Sequence, residues 1–295
     1  MDLAVLPEIV FWGLYAGCIY ILLAVGLNLI FGVMRVVNFA HGELMVLAIY
    51  ITFFLHNILD LNPYLAFALS IISMFFVGVG IERVCFRPIM GTGKLNEIFM
   101  SLALIYLIQN SIFITCNNVD FCNDLNRIRS PLGYEEISFG FMELGADHVV
   151  IICVTISLVV MLYLFMKKTS TGKAMMATSQ NREVAMLTGI NVERMDMLAF
   201  GLGSSFAAAA SLFWISEIPF TPYSGSINAI KAFAVIILGG LGSISGAIAG
   251  GLIYGVAENI SAYLFGGGWK HATSFIILII VLIIRPTGLF GEKEE

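Results

Sequence analysis

Long apolar runs separated by short polar stretches dominate the pattern of this chain. A run of about 20 apolar residues is long enough to cross a hydrocarbon layer about 30 Å thick as an α-helix. The runs that predict such helices lie at residues 9–33, 36–57, 63–82, 96–115, 147–166, 196–216, 228–241, 246–266 and 272–285. We therefore predict an all-α, polytopic transmembrane helix bundle, built as a single domain over residues 1–295. The run at 228–241 is short, and eight or nine crossings follow according to whether it folds back or crosses fully.

Composition supports a membrane protein and excludes other classes. Hydrophobic residues make up 59% of the chain, charged residues 12%, and the mean hydropathy is +0.94. A soluble globular domain carries about 25% charged residues, so this chain could not stay dispersed in water. The net charge of −5 argues against a nucleic-acid partner, which requires a basic face. Asp2 and Glu8 precede the first run without any Lys or Arg, so we expect that run to be a retained helix rather than a cleaved signal peptide.

Basic residues predict the orientation of the bundle. Eleven fall on one side of the predicted spans, namely Arg35, Arg83, Arg87, Lys94, Lys167, Lys168, Lys173, Arg182, Arg194, Arg285 and Lys293. Arg127, Arg129 and Lys270 fall on the other side. Because cytoplasmic loops carry the excess of Lys and Arg, the first side is predicted to be cytoplasmic. The N-terminus is then outside and the C-terminus cytoplasmic, which requires an odd number of full crossings.

Two polar loops interrupt the spans. The outer loop, at about 116–146, is acidic and contains Cys116 and Cys122. The milieu outside the cytoplasm favours oxidation, so these two cysteines form either a disulfide or two unpaired thiols. The other loop, at about 167–195, is predicted to be cytoplasmic.

Catalytic and metal-binding motifs are not recognised in this sequence. The segment from Gly91 to Leu95 lacks the upstream glycine and the Ser/Thr of a phosphate-binding loop. No G-x-S-x-G or H-E-x-x-H pattern occurs, and no zinc-ligand spacing is present. We therefore expect no metal site, no cofactor held by this chain and no enzymatic activity of its own.

Glycines in the segment from Gly239 to Gly255 form a second signal. Gly242, Gly246 and Gly250 are four residues apart, and so are Gly251 and Gly255, so each set lies along one helical stripe. Small residues at this spacing let helix backbones approach closely in lipid, which predicts helix packing through Gly246, Gly250, Gly251 and Gly255. The alternative for Gly239, Gly240 and Gly242 is a break in the helix that lines a translocation path.

Polar residues also enter the second apolar run. Asn38, His41 and Glu43 are costly at membrane depth unless they face the bundle interior or a water-filled cavity. One interpretation places them on a translocation path. In the other, Asn38 caps the second helix and Glu43 lies near its positive dipole end. Lys231 is expected to extend to the outer interface and Glu258 to hydrogen-bond between helices.

The segment 169–195 is a polar, helix-forming stretch in an otherwise apolar chain. Ser179 or Asn181 is suited to cap a short helix from Arg182 to Leu187, and Gly189 is suited to the left-handed position that ends it. Met186 and Leu187 would then be exposed, either to the groove of a partner protein or to lipid headgroups. Within this stretch Glu183, Ala185 and Gly189 have the spacing E-x-A-x-x-x-G, which resembles the loop that docks importer membrane subunits on their ATPases.

Four segments together resemble one family. They are NLIFGVMRVVNFAHGELMVLAIY, TSTGKAMMATSQNREVAMLTGINVERM, KAFAVIILGGLGSISGAIAGG and RPTGLFG. In this order they are similar to LivH-type permeases, the membrane subunits of ATP-binding-cassette importers for branched-chain amino acids.

The resemblance implies a translocation subunit of the bacterial cytoplasmic (inner) membrane, driven by ATP through alternating access. It implies four partners: a second related permease of LivM type, two cytoplasmic ATPases that bind ATP and Mg, and a periplasmic or lipid-anchored binding protein. Asn181, Arg182, Glu183, Ala185, Met186, Leu187 and Gly189 would couple the permease to the ATPases. Importers of urea, amides and other neutral amino acids use similar permeases, so these solutes are alternative substrates. The alternative function from another class is that of an autonomous secondary transporter.

Overall fold

The protein folds as a bundle of α-helices. A computed structural model describes residues 5–118, 136–138, 143–217, 220–285 and 287–291. The helices are α1 (Leu6–Met34), α2 (His41–Leu59), α3 (Pro63–Ile81), α4 (Lys94–Asn118), α5 (Ala146–Lys168), α6 (Ser170–Gln180), α7 (Arg182–Leu187), α8 (Val192–Glu217), α9 (Gly225–Gly239), α10 (Ile244–Phe265) and α11 (Trp269–Ile284). The predicted all-α polytopic class is confirmed.

Each predicted apolar run forms one helix, and the helices differ in length. Seven of them, α1–α5, α8 and α10, are long and apolar enough to cross a membrane. The other two, α9 and α11, have 15 and 16 residues. At about 1.5 Å per residue, α9 is roughly 22 Å long and shorter than the hydrocarbon layer. Since α6 and α7 are short and polar, they lie between the spans α5 and α8 in the chain without crossing.

One end of the bundle, which we call the basic end, contains Arg35 at the end of α1 and Arg182 at the start of α7. At this end Arg35 donates a hydrogen bond from Nη2 to the carbonyl of Ser179 in α6, at 3.0 Å. The backbone N–H of Phe290, after α11, donates to the carbonyl of Gly239 at the end of α9. The end of α1, the α6–α7 segment, the α9–α10 turn and the segment after α11 therefore meet here. The cytoplasmic placement of the basic end stays a prediction.

Glycines allow α1 and α10 to approach closely. A Cβ atom built at Gly255 of α10 would collide with the backbone of Gly13 and Gly17 in α1, and one at Gly251 would collide with Ile21. In lipid, where the hydrophobic effect does not drive helix association, such backbone contact increases the dispersion attraction between helices. The same kind of contact joins α9 to α10, because Gly239 lies against Gly246.

The helix α8 lies at the centre of the bundle, between α1, α2 and α3. Gly203 of α8 lies against the carbonyl of Gly26 in α1. On another face, Ser204 of α8 fills the space that a side chain at Gly78 of α3 would take. A displacement of α8 would therefore act directly on both neighbouring spans.

The outer loop contains a short hairpin and a disulfide-bonded cysteine. Strands β1 (Glu136–Ser138) and β2 (Glu143–Gly145) pair antiparallel, with Ile137 opposite Leu144. Cys116 is disulfide-bonded. Cys122 lies outside the described residues, so its pairing with Cys116 stays a prediction.

The α1–α10 contact predicts unequal effects for the same substitution at two glycines. We expect Gly255→Ala to lower stability by about 1–3 kcal/mol, because the added methyl group overpacks a backbone contact. Gly80→Ala is the matched control, since a Cβ at this helical position meets nothing within 4 Å. Thermal unfolding in detergent measures both variants. Equal melting temperatures for the two would show that the glycine contact is not required.

Candidate coupling and translocation sites

The helix α7 is bounded by the residues that the sequence indicates. The side chain of Asn181 accepts a hydrogen bond from the backbone N–H of Val184 at 3.0 Å and caps the helix. At the other end Gly189 has φ of 85°, its N–H donates to the carbonyl of Met186, and the N–H of Ile190 donates to that of Ala185. These two bonds form the Schellman motif, which favours glycine at this left-handed position. Of the two predicted caps, Ser179 and Asn181, the structure has Asn181, and the predicted helix end at Gly189 is confirmed.

The two faces of α7 differ in exposure. Ala185 is buried against the bundle, whereas Leu187 is 87% exposed and Met186 53% exposed. Val184 is exposed as well, and Glu183 adds a carboxylate to the same surface. A short helix with three exposed apolar side chains beside charged residues is suited to a groove in a partner protein.

An ion pair anchors α7 on α8. The Nη1 atom of Arg182 donates to Oδ1 of Asp196 at 2.9 Å, and its Nη2 donates to Oδ2. Asp196 is almost fully buried, whereas Arg182 is partly exposed. The sequence reasoning singled out Arg182 but missed Asp196. The available signal was a carboxylate in the first turns of an apolar span, which requires a partner.

The start of α2 lies inside the bundle rather than at its surface. Arg35 ends α1 with a left-handed φ of 59°. Residues 36–40 form irregular backbone that turns back alongside α1. Nε2 of His41 therefore lies beside Gly26, which is about two helical turns before the end of α1. Asn38 is buried, and its Oδ1 accepts a hydrogen bond from the N–H of Ala40 at 3.0 Å. This bond closes a turn before α2, whose N-cap is Ala40 without a side-chain cap, so the interpretation that Asn38 caps the helix is wrong.

Glu43 lies at the N-terminus of α9. Its Oε1 accepts hydrogen bonds from Oγ of Ser226 at 2.8 Å and from Nε2 of Gln109 in α4 at 2.9 Å. A Cβ atom at position 225 would collide with Oε2 of Glu43, so only glycine fits at this position. The positive end of a helix dipole favours a carboxylate, and α9 supplies that end here. Ser226 and Gln109 are functional candidates that the sequence reasoning missed.

The three polar residues of the predicted path do not meet in one cavity. Residues two positions apart point about 200° from one another around a helix, so His41 faces α1 and α8 while Glu43 faces α4 and α9. All three side chains are fully buried, as is the apolar Leu44. This conformation is therefore closed around the start of α2, and the translocation role stays a prediction.

The predicted helix break lies between α9 and α10, near the basic end. Gly240 and Gly242 have φ of 110° and 85°. The side chain of Asn28 in α1 holds the turn, since Oδ1 accepts from the N–H of Gly242 and Nδ2 donates to the carbonyl of Ser243 at 2.7 Å. Gly239 and Gly240 are buried and Gly242 is exposed. The whole length of α9 separates this break from Glu43, so the two parts of the predicted path are distinct.

A charged cluster lies inside the bundle where α1, α9 and α10 meet. Nζ of Lys231 donates to Oε1 of Glu258 at 2.6 Å and to the hydroxyl of Tyr20 at 3.0 Å, and Tyr20 donates to Glu258. The expectation that Lys231 extends to the outer interface is wrong, because the carboxylate compensates its charge inside the bundle. The interhelical hydrogen bonds expected of Glu258 are confirmed.

The described parts of the chain contain no cluster of three or more His, Cys, Asp or Glu side chains that could hold a metal ion. Most of the polar groups above bind one another or the backbone, whereas both ring nitrogens of His41 and Oε2 of Glu43 are buried without a hydrogen-bond partner in the part of the chain that the structure describes. The site chemistry is therefore that of packing, hydrogen bonding and charge pairing.

Residues 9–284 match the family described as the permease component of the branched-chain amino acid transport system. The chain is 33% identical to the high-affinity branched-chain amino acid transport system permease protein BraD of Pseudomonas aeruginosa, over 96% of this chain and 94% of that one. It is 30% identical to the corresponding protein LivH of Escherichia coli, over 96% and 95%. A probable branched-chain amino acid transport permease protein LivH of Methanocaldococcus jannaschii is also 30% identical, over 92% and 88%.

The helix arrangement is similar to that of a solved structure. It is that of PsaBC from Streptococcus pneumoniae in complex with Fab, with a TM-score of 0.52 over 95% of this chain and 93% of the matched chain. The sequences are 13% identical, so the likeness concerns the arrangement of the helices.

The buried Lys231–Glu258 pair predicts a non-additive mutant series. We expect Lys231→Met alone to destabilise the protein by about 3–5 kcal/mol, because it leaves Glu258 buried without a cation. Adding Glu258→Leu should recover much of that loss, since no buried charge then remains unpaired. Unfolding in detergent measures the cycle. Additive losses in the double variant would show that the two side chains act independently.

Proposed function

This chain belongs to the branched-chain amino acid transport permease family, and we propose that it is the membrane-spanning subunit of an ATP-binding-cassette importer. The proposed cargo is leucine, isoleucine and valine, moved into the cell across the cytoplasmic membrane of a bacterium. The multi-pass membrane fold and the full-length similarity to transport permeases support this assignment.

The observation that carries the proposal is the exposed apolar face of α7. A side chain as exposed as Leu187 gains nothing from its own fold, but it can be buried in the groove of a soluble partner. In the proposed complex, α7 docks on a cytoplasmic ATPase at the basic end. ATP and Mg are bound by two such ATPases, while this chain contributes the docking helix.

The proposed mechanism is alternating access. A binding protein on the outer side, periplasmic or lipid-anchored, delivers the amino acid to the bundle. Closure of the ATPase pair displaces α7, and the spans of this chain and of a second, LivM-type permease rearrange. The start of α2 then lines the opened path, because its polar residues are the ones that gain from contact with water.

Charge pairing inside the bundle favours a neutral cargo. Lys231 is compensated by Glu258, and Glu43 accepts two hydrogen bonds at the N-terminus of α9. A zwitterionic substrate with an apolar side chain has no net charge that would require a fixed counter-charge. Urea, amides and other neutral amino acids fit the same reasoning, so transport assays with these solutes define the cargo.

A variant of α7 tests the proposed ATPase contact. We expect Leu187→Asp to weaken ATPase binding by about 2 kcal/mol or more, because the substitution places a charge in a buried interface. The measurement is the amount of ATPase that co-purifies with the permease. Leu59→Asp is the matched control, since Leu59 is exposed at the end of α2 away from the basic end. Self-sufficient uptake by the purified permease in liposomes, without any ATPase, would contradict the proposal.

Single cysteines test the path at the start of α2. With Cys18, Cys85, Cys116, Cys122 and Cys153 removed, we expect cysteines at positions 38 and 41 to resist a small water-soluble thiol reagent in the resting complex.

Addition of ATP and the substrate-loaded binding protein should then make positions 38 and 41 reactive. A cysteine at position 44, on the same helix and equally buried, is the control that should stay protected. Protection of all three positions throughout the transport cycle would show that Asn38 and His41 do not line the path.

A further inference from the structure

Charged side chains connect α7 to α8 through a contact that water screens weakly. Arg182 binds Asp196 through two hydrogen bonds, and the carboxylate of Asp196 is 1% exposed. A planar guanidinium that faces both oxygens of a carboxylate fixes orientation as well as distance. The first residue of α7 is therefore held rigidly against the second turn of α8.

A second arginine continues this connection from α8 to the end of α3. Arg87 donates to both oxygens of Glu82, at 3.2 and 3.1 Å, and its Nη1 donates to Oε2 of Glu193 at 3.3 Å. Glu82 is fully buried and begins the π-helical turn Glu82–Phe86 that extends α3. Such turns often occur at functional sites, where the helix is wider and less regular.

We propose that these five side chains, Arg182, Asp196, Glu193, Arg87 and Glu82, form a relay that transmits displacement of α7 into α8 and α3. The proposal rests on the docking of α7 on an ATPase. Arg182 and Asp196 act as positioning residues, because they contact neither cargo nor nucleotide but determine whether α8 follows α7.

The connection between α7 and α8 gives a physical reason why the relay is needed. Residues 188–191 connect α7 to α8 through a turn that contains the left-handed Gly189. A turn of this kind bends when α7 is pushed, whereas the two-hydrogen-bond pair moves α8 with it. Because α8 contacts α1 through Gly203 and α3 through Ser204, the displacement then reaches the centre of the bundle.

The test compares ATP hydrolysis with uptake in the assembled importer. The complex of both permeases, ATPases and binding protein is reconstituted in liposomes with Asp196→Asn or Arg87→Ala. We expect the ATPases to remain bound and hydrolysis to continue, while leucine uptake per ATP hydrolysed falls about tenfold or more. Loss of a merely stabilising contact would lower both activities together, in proportion to the amount of complex.

Two further variants refine the comparison. Arg194→Ala is the matched control, because Arg194 is an exposed cation in the same part of α8 but is not one of the five relay residues. Its ratio of uptake to hydrolysis should equal that of the wild type. Arg182→Lys keeps the charge but not the planar fork, so it should give an intermediate ratio.

The outcomes separate the relay from the proposed function. If Asp196→Asn and Arg87→Ala assemble and keep the wild-type ratio, the relay is wrong and α7 docking stands. If neither variant assembles, the ratio of Arg182→Lys decides: a lowered ratio supports the relay, and a wild-type ratio overturns it. A wild-type permease that binds no ATPase would overturn the proposed function itself.

Discussion

The hydrogen bonds that a backbone must make inside a membrane constrain every irregular part of this bundle. Each N–H or C=O group without a partner costs several kcal/mol in hydrocarbon, so irregular backbone must be buried in protein and satisfied there. At the start of α2 the side chain of Asn38 supplies a partner for the backbone. At the α9–α10 turn Asn28 does so. Asn38 and Asn28 thus supply hydrogen bonds where the regular helices are interrupted.

Close packing between helices depends on this internal hydrogen bonding of the backbone. Helices that satisfy their own backbone approach as closely as their side chains allow, and α1 and α10 approach through glycine. The charged cluster of Lys231, Glu258 and Tyr20 lies in the same region of close contact. It joins α1, α9 and α10, and the contact of Gly239 with Gly246 joins α9 to α10 at a second place.

Hydropathy predicted the positions of the spans because lipid imposes a length on every crossing helix. Local rules predicted the ends of α7, since Asn181 and Gly189 act within four residues of their partners. The fate of Lys231 was not predictable in this way, because its partner Glu258 is on another helix and the choice between interface and interior depends on tertiary packing. The same is true of Asp196 and Gln109, whose partners are distant in sequence.

The segment after α11 has a consequence for the order of assembly. The carbonyls of Leu238 and Gly239, at the end of α9, accept hydrogen bonds from the N–H groups of Leu289 and Phe290. During synthesis at about 5–20 residues per second, α9 is made first, and α10 and α11 must follow before those N–H groups exist. Until then the end of α9 depends on water or on the insertion machinery for its partners. The basic end of α9 is therefore completed late in biogenesis, after both later spans have been inserted.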